Sequence, residues 1–350
     1  MKRQGYLYQD VCNIENIKLA IVRAAKGKKS RVDVKRVLDN LDYYAADMQD
    51  MLLNMSYTPS PGKEKTIYSV NSKKERQILI PQFYPDLCMQ WALMNVLEPV
   101  LTKGMYNYSC GSVPGKGIHY AAKNMRRWIS NDKKHTKYCL KMDITKFFPS
   151  INLGILKNTF RKHIKDSRML WLIDSIIDVQ DKGVPIGFFT SPWFANFLLQ
   201  DLDHLIKERL GVKYYIRYID DMVLFGNNKK KLHKVRAVIE EYLASIGLEL
   251  KGNWQVFRVD KRAVDFLGYR FFREHTLLRK RTALRMKRRI RKALKKPEIT
   301  FKDAAAIVSY LGWTKHCDSY NFYQKNIKNI IDMNKIKGVI RNESRKHQAA

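Results

Sequence analysis

The sequence predicts an α+β protein in which a few antiparallel strands carry the acids and helices lie before and after them. Three observations predict it. In Ile216–Phe225, apolar, β-branched and aromatic residues flank Asp220 and Asp221, which reads as two buried strands joined at the acids. Cys139–Ile151 is a second strand-like run, with Asp143 inside it and Pro149 to stop it. Helical stretches cover 14–22, 34–41 and 153–178, and a basic amphipathic stretch covers 279–296.

Residues 1–60 are mostly helical, interrupted by the basic loop Lys26–Arg31, which is either a solvated linker or a nucleic-acid contact. Lys63–Pro81 reads as two strands with a charged turn at Asn71–Glu75, followed by a helix from Leu87 to Val100. Ser109–Ala122 is glycine-rich and leads into a helix, but it misses the spacing of a P-loop. In Gly183–Leu199, Gly and Pro give way to a helix capped near Thr190 or Ser191, with Pro192 in its first turn. A glycine ahead of such a helix start lets backbone approach a substrate closely. A helix from Lys229 to Ile246 comes next, followed by Gly247–Lys251. Arg279–Lys296 holds eleven basic residues in eighteen, and as an amphipathic helix it suits a solvated face, a membrane surface or a nucleic-acid duplex. The tail after Lys335 is polar and expected to fray.

Charge narrows the choice of partner. With 66 Lys and Arg against 33 Asp and Glu, the 350-residue chain carries +33, which points to a polyanion. No 18-residue apolar run and no signal-like start are present, so a membrane partner is not expected. Five widely spaced cysteines without a CxxC pair suggest neither zinc nor a disulfide framework, and a cytoplasmic protein with reduced thiols is the simplest reading.

Two adjacent carboxylates between apolar runs are costly to bury unless something compensates them. They are either a solvated acidic turn or a site for a hard divalent cation such as Mg²⁺. Asp143 supplies a third carboxylate from a separate element, as two-metal phosphoryl transfer requires.

The Asp143 strand (D-x-x-x-F-F) followed by Tyr218-Ile219-Asp220-Asp221 (Y-x-D-D) resembles the reverse transcriptases, and six motifs in the family's order extend the likeness from about residue 60 to about 325. The resemblance implies a right-hand polymerase fold: an N-terminal extension (1–60), fingers (61–135), an antiparallel palm (136–272) and a helical thumb with tail (273–350). It implies RNA-directed DNA synthesis with two Mg²⁺ ions, replaceable by Mn²⁺, held by Asp143, Ile144, Asp220 and Asp221, with the three aspartates catalytic. Lys74 and Arg76, before Ile78-Leu79-Ile80-Pro81, would grip the triphosphate; for Arg76 the alternative is an exposed hairpin charge. Phe147, Phe148, Ile186 and Gly187 would line the nucleotide site. Phe148 falls at the steric gate against a ribose 2′-OH, or else is an ordinary core aromatic.

The same resemblance assigns Lys116, Tyr218, Ser191, Pro192, Asn196 and Gly268 to nucleic acid, together with Arg285, Arg288, Arg289 and Lys292 of the basic helix. Lys251 is the candidate general acid for the leaving pyrophosphate. Ser309–Tyr320 resembles the thumb signature S-Y-x-G-W-x-x-H, with Trp313 and Tyr320 expected in the thumb core. One position departs from the family: Ile186 stands where glutamine is usual, as in diversity-generating retroelement enzymes, while Pro192 does not follow that group. The retron signatures N-A-x-x-H and V-T-G are absent. Expected partners are an RNA template, a DNA primer or cDNA and deoxynucleoside triphosphates, with a cognate non-coding RNA and an accessory protein as further candidates. The biological setting is a bacterial retroelement of the diversity-generating kind or an anti-phage defence system. A maturase-like RNA binder without polymerase activity is the rival, and the three aspartates argue against it.

Overall fold

The computed structural model describes residues 3–69, 74–328 and 330–349. Four helices open the chain: α1 (Leu7–Cys12), α2 (Ile14–Ala24), α3 (Val32–Asp39) and α4 (Leu41–Leu53). The expected helix over 34–41 therefore divides at Asn40, whose backbone leaves the helical region. Strands β1 (Lys63–Ser69) and β2 (Lys74–Ile80) form an antiparallel ribbon, and the turn expected between them falls on residues 70–73, outside those described. Helix α5 (Cys88–Thr102) packs against α2 and α1, so the N-terminal helices share one core with it rather than standing apart.

The central sheet has the order β3-β5-β6-β4-β7, formed by β3 (Ser109–Cys110), β4 (Tyr138–Met142), β5 (Tyr214–Tyr218), β6 (Asp221–Gly226) and β7 (Gln255–Arg258). Successive side chains of a strand point to opposite faces, and both faces here are apolar. Met222 and Leu224 enter the large core under the N-terminal helices, whereas Val223 and Phe225 enter a second core beneath α6 (Ile118–Asn131). The sheet continues past Gly247–Lys251: Leu250 bridges Ile144, and the chain then returns as β7 on the free edge of β4.

Between β4 and β5 run α7 (Phe147–Ser150), α8 (Leu153–His163), α9 (Ser167–Ile177), α10 (Ser191–Leu198) and α11 (Gln200–His204). The single helix expected over 153–178 is broken because Gln4 pairs with Ile164 and Asp166 caps α9, accepting from the Met169 amide at 3.2 Å. Helix α12 (Lys229–Ser245) lies against β6 and β7.

Strands β8 (Val264–Phe266), β9 (Tyr269–Phe271) and β10 (Thr276–Leu278) make a small meander. Beyond it, α13 (Lys280–Leu294), α14 (Phe301–Thr314), α15 (Tyr320–Tyr323) and α16 (Met333–Ala349) enclose a third core that includes Met286, Ile290, Ile307 and Ile336. Three expectations are corrected here. The tail is helical from Met333 because Ile336 anchors it in that core, and Tyr320 is 74% exposed rather than part of it. Trp313 instead packs on Tyr269, with ring centroids 5.4 Å apart. Among the described residues no helix is long and apolar enough to cross a membrane.

Candidate active site

Register brings the acids together. Strands β5 and β6 pair with Tyr218 opposite Asp221, leaving Ile219 and Asp220 as a two-residue loop. Strands β4 and β6 pair with Met142 opposite Met222, which sets Asp143, one residue on, beside Asp221. The three expected carboxylates thus meet at one end of the sheet. Ile144 has a buried side chain, and its bridge to Leu250 uses the backbone of its neighbours, Asp143 and Thr145, so only its carbonyl is left to serve a site.

Burial, then the charge of Asp143 and a hydrogen bond to it, holds Asp220 well above the usual carboxylate range, while the Arg76 charge pulls the other way. Burial also pushes Asp221 up to about 7, with Lys141 opposing the push and the neighbouring acids adding to it. Lys251 Nζ donates to Asp143 Oδ2 at 2.8 Å, and this bond raises the lysine above its ordinary value. Lys141 Nζ lies 3.7 Å from Asp221 Oδ2 and donates to the Asp265 carbonyl at 2.6 Å. The Asp265 carboxylate in turn binds Arg279 at the start of α13. Asp143, Asp221, Lys141, Asp265 and Arg279 line a cavity of about 290 Å³.

Among the described residues no three His, Cys, Asp or Glu side chains are already gathered into a metal cage. The donor set still fits a hard divalent cation. Asp221 Oδ1 is buried without a hydrogen-bond partner, and the two raised pKa values mark carboxylates that bind positive charge strongly.

Arg76 lies on β2 with its side chain exposed, while the side chain of Lys74 is outside those described. Strand β2 is joined to the loop carrying Ile186 and Gly187: the Leu79 amide donates to the Ile186 carbonyl at 2.8 Å. Gly187 has φ +123, and a Cβ there would stand 2.4 Å from the Leu79 carbonyl oxygen, so only glycine allows this approach. Phe148 is half-buried and its carbonyl accepts from Val184 at 3.0 Å, which fixes the backbone that carries the ring. Phe147 corrects the expectation, since it is 2% exposed and belongs to the core. Gln90 was given no role by the sequence reading, yet its Oε1 accepts from the Phe189 amide at 2.8 Å and so supports the same loop.

Several residues expected on nucleic acid are occupied internally. Ser191 is buried and its hydroxyl donates to the Pro185 carbonyl at 2.7 Å, while Pro192 beside it is half-buried. Asn196 has no exposure; it donates to the Gly111 carbonyl at 2.9 Å and accepts from Arg217 at 2.8 Å. Gly268 makes room for Trp313, whose ring would lie 2.6 Å from a Cβ. Arg289 pairs with the buried Asp303 at 2.8 Å, which no spacing rule reveals because the partner lies on another helix. Lys116, Tyr218 and Arg285 are half-buried, and Arg288 and Lys292 are exposed opposite the apolar face of α13.

Known proteins resemble the chain in sequence and in fold. The family model for reverse transcriptase (RNA-dependent DNA polymerase) matches residues 63–271. The chain is similar to the Retron Ec73 reverse transcriptase of Escherichia coli, 27% identical over 217 residues, covering 58% of this chain and 65% of that protein. It is also similar to the group II intron-encoded protein LtrA of Lactococcus lactis, 28% identical over 163 residues, covering 44% of this chain and 26% of that protein. The match thus spans less than two thirds of either relative's length. A retron enzyme is among the relatives although both retron signatures are absent, so the likeness carries the family and not the branch. Among solved structures, apo telomerase from Candida tropicalis superposes with a TM-score of 0.50 at 14% identity, covering 80% of this chain and 56% of that one. That likeness is one of fold, the right-hand polymerase fold expected of the sequence.

Proposed function

Because the chain belongs to the reverse transcriptase (RNA-dependent DNA polymerase) family, we propose that it copies an RNA template into DNA by nucleotidyl transfer at Asp143, Asp220 and Asp221. The observation that carries this reading is the meeting of those three carboxylates at one sheet end, with Asp221 Oδ1 buried and unpartnered. Asp143 and Asp220 would hold the divalent cations, with Asp221 and the Ile144 carbonyl assisting; oxygen donors suit Mg²⁺, and Mn²⁺ can replace it. Bound there, such cations neutralise the triphosphate and make the primer 3′-hydroxyl easier to deprotonate.

The remaining roles belong to the chain's own residues. Arg76 grips the incoming triphosphate, its fork matching phosphate oxygens. Phe148 bars a ribose 2′-OH, and Ile186 and Gly187 bound the nascent pair. Lys251, whose bond to Asp143 favours its protonated form, gives a proton to the leaving pyrophosphate in this reading. Arg285, Arg288 and Lys292 bind template–primer phosphates, so affinity falls steeply with salt. In this reading 61–135 are fingers, 136–272 palm, 273–350 thumb and 1–60 an extension, working in the cytoplasm, where the five cysteines stay free as they are here. A bacterial retroelement or anti-phage setting, with its own non-coding RNA and an accessory protein, completes the proposal.

The test is primer extension on poly-rA/oligo-dT with Mg²⁺ and dTTP, beside Asp220→Ala. Extension by the wild type that the variant abolishes is the expected result. Binding of RNA without extension, even with RNA co-purified from cells, would overturn the reading in favour of an RNA binder.

A further inference from the structure

We propose that Arg217 is a positioning residue for the catalytic hairpin: buried within the sheet, it clamps the Ile219 carbonyl and so sets the peptide that carries Asp220. The proposal rests on the polymerase reading above and deepens it.

Arg217 sits in β5 with no solvent exposure, among the largest fully buried side chains of the molecule. A guanidinium has five N–H donors in a rigid fork, and here all five are directed at acceptors. Nε and Nη2 donate to the two oxygens of Asp203 at 2.8 and 2.6 Å. The other Nη2 proton goes to Ser109 Oγ at 2.7 Å. Nη1 donates to Asn196 Oδ1 at 2.8 Å and to the Ile219 carbonyl at 2.9 Å. Asp203 neutralises the charge, and Tyr215 adds a hydroxyl to the same carboxylate at 2.7 Å. A buried ion pair meant only to fill space would need no bond to the hairpin.

That bond falls where the backbone is under strain. Ile219 has φ +57, a left-handed conformation that a β-branched residue adopts only when its surroundings impose it. Both of its backbone polar groups are held: the amide donates to the Cys110 carbonyl at 3.1 Å, and the carbonyl accepts from Arg217. Gly111 closes the arrangement. A Cβ there would stand 2.9 Å from Ile219 Cγ1, and Asn196, already bonded to Arg217, donates to the Gly111 carbonyl. Arg217, Ile219, the Cys110–Gly111 turn and Asn196 therefore form a closed ring, and Asp220 is the next residue along the chain. Arg217 touches no reacting atom. It acts by fixing the peptide from which the Asp220 carboxylate is presented.

Arg217→Lys tests this, because lysine keeps the charge opposite Asp203 but cannot reach Asp203, Asn196, Ser109 and Ile219 together. On poly-rA/oligo-dT with Mg²⁺, kcat is expected to fall about 100-fold, with KM for dTTP and affinity for template–primer unchanged, since a misplaced carboxylate costs rate rather than binding. Hydrogen exchange reads the clamp without turnover: protection of the Ile219 amide should fall in the variant while that of β4 and α12 holds. A folded variant with wild-type kcat, or one whose exchange rises evenly over the whole sheet, overturns the proposal. Selective loss of protection at the hairpin in a protein whose wild type makes no DNA leaves the clamp standing and removes the polymerase reading instead. If Arg217→Lys does not fold, Ser109→Ala takes its place, with a smaller fall in kcat and the same local exchange expected; wild-type kcat and exchange in it overturn the clamp.

Discussion

The Asp220–Asp221 hairpin lies between two sets of ion pairs that are built in opposite ways. At the back of the sheet, Arg217 of β5 and Asp203 of α11 are fully buried, and all five guanidinium donors of Arg217 have acceptors. At the sheet end, Lys251 reaches Asp143 and Lys141 reaches Asp221 from half-exposed positions, one Asp221 oxygen has no partner, and two of the acids sit far above their ordinary pKa. In the first set every guanidinium donor is used, and the pair serves as a fixture. The second is under-neutralised, and its surplus negative charge is what a cation or a substrate can use. The difference teaches that burial by itself is not the contrast: at the sheet end it coincides with an unpartnered Asp221 oxygen and raised carboxylate pKa values, and at Arg217 it does not.

Changes on the two sides should therefore have opposite signatures. The largest effect expected is on activity: Asp220→Asn should abolish primer extension, yet melt at or above the wild-type temperature at pH 8, because it removes a buried charge that the fold disfavours. A large drop in Tm in a calorimetric scan would break the comparison. On the other side, Asp203→Ala strands the Arg217 charge and should cost about 3–5 kcal/mol in denaturant unfolding. Wild-type stability in that variant would show the buried pair to be dispensable.

A smaller effect concerns pH. The folded pKa of Asp221, about 7, exceeds the ordinary carboxylate value, so the folded state holds a proton that the unfolded state has released. This acid therefore lowers stability above pH 7, and the cost is relieved as pH falls through 7 toward the unfolded value. In cation-free buffer Asp221→Asn should flatten the Tm–pH profile between those limits and gain most at pH 8; a profile parallel to wild type would refute the assignment. The smallest change expected is one of selectivity. Phe148→Ala should admit ribonucleotides while leaving dTTP incorporation largely intact, and an unchanged ratio of rNTP to dNTP incorporation would return Phe148 to the core.

The acids were legible because each lies in a local pattern: an apolar run interrupted by a carboxylate reads the same in sequence and in the fold. Helix α13 was legible for a similar reason, its apolar residues recurring at helical spacing among the basic ones. What failed was anything that depended on a contact only the fold creates, distant or across a nearby loop. Asn196 and Ser191 carry the family's motif, yet the chain 85 residues upstream, at Gly111, claims the first, and the Pro185 carbonyl claims the second. Asp166 offered a cap that would have divided the long helix over 153–178, but the pairing of Gln4 with Ile164 that accompanies the break has no local sign.

By itself, then, the sequence determined most element types, the strong positive charge and the three carboxylates at the strand ends, all properties of residue type and near-neighbour spacing. Tertiary structure alone decided how those carboxylates share charge with Lys251 and Lys141, which motif residues are buried, and that Arg217 holds the hairpin. Each of these depends on strand register and on contacts between residues far apart in the chain, where a hydrogen bond or a buried charge is settled by which groups folding brings within reach.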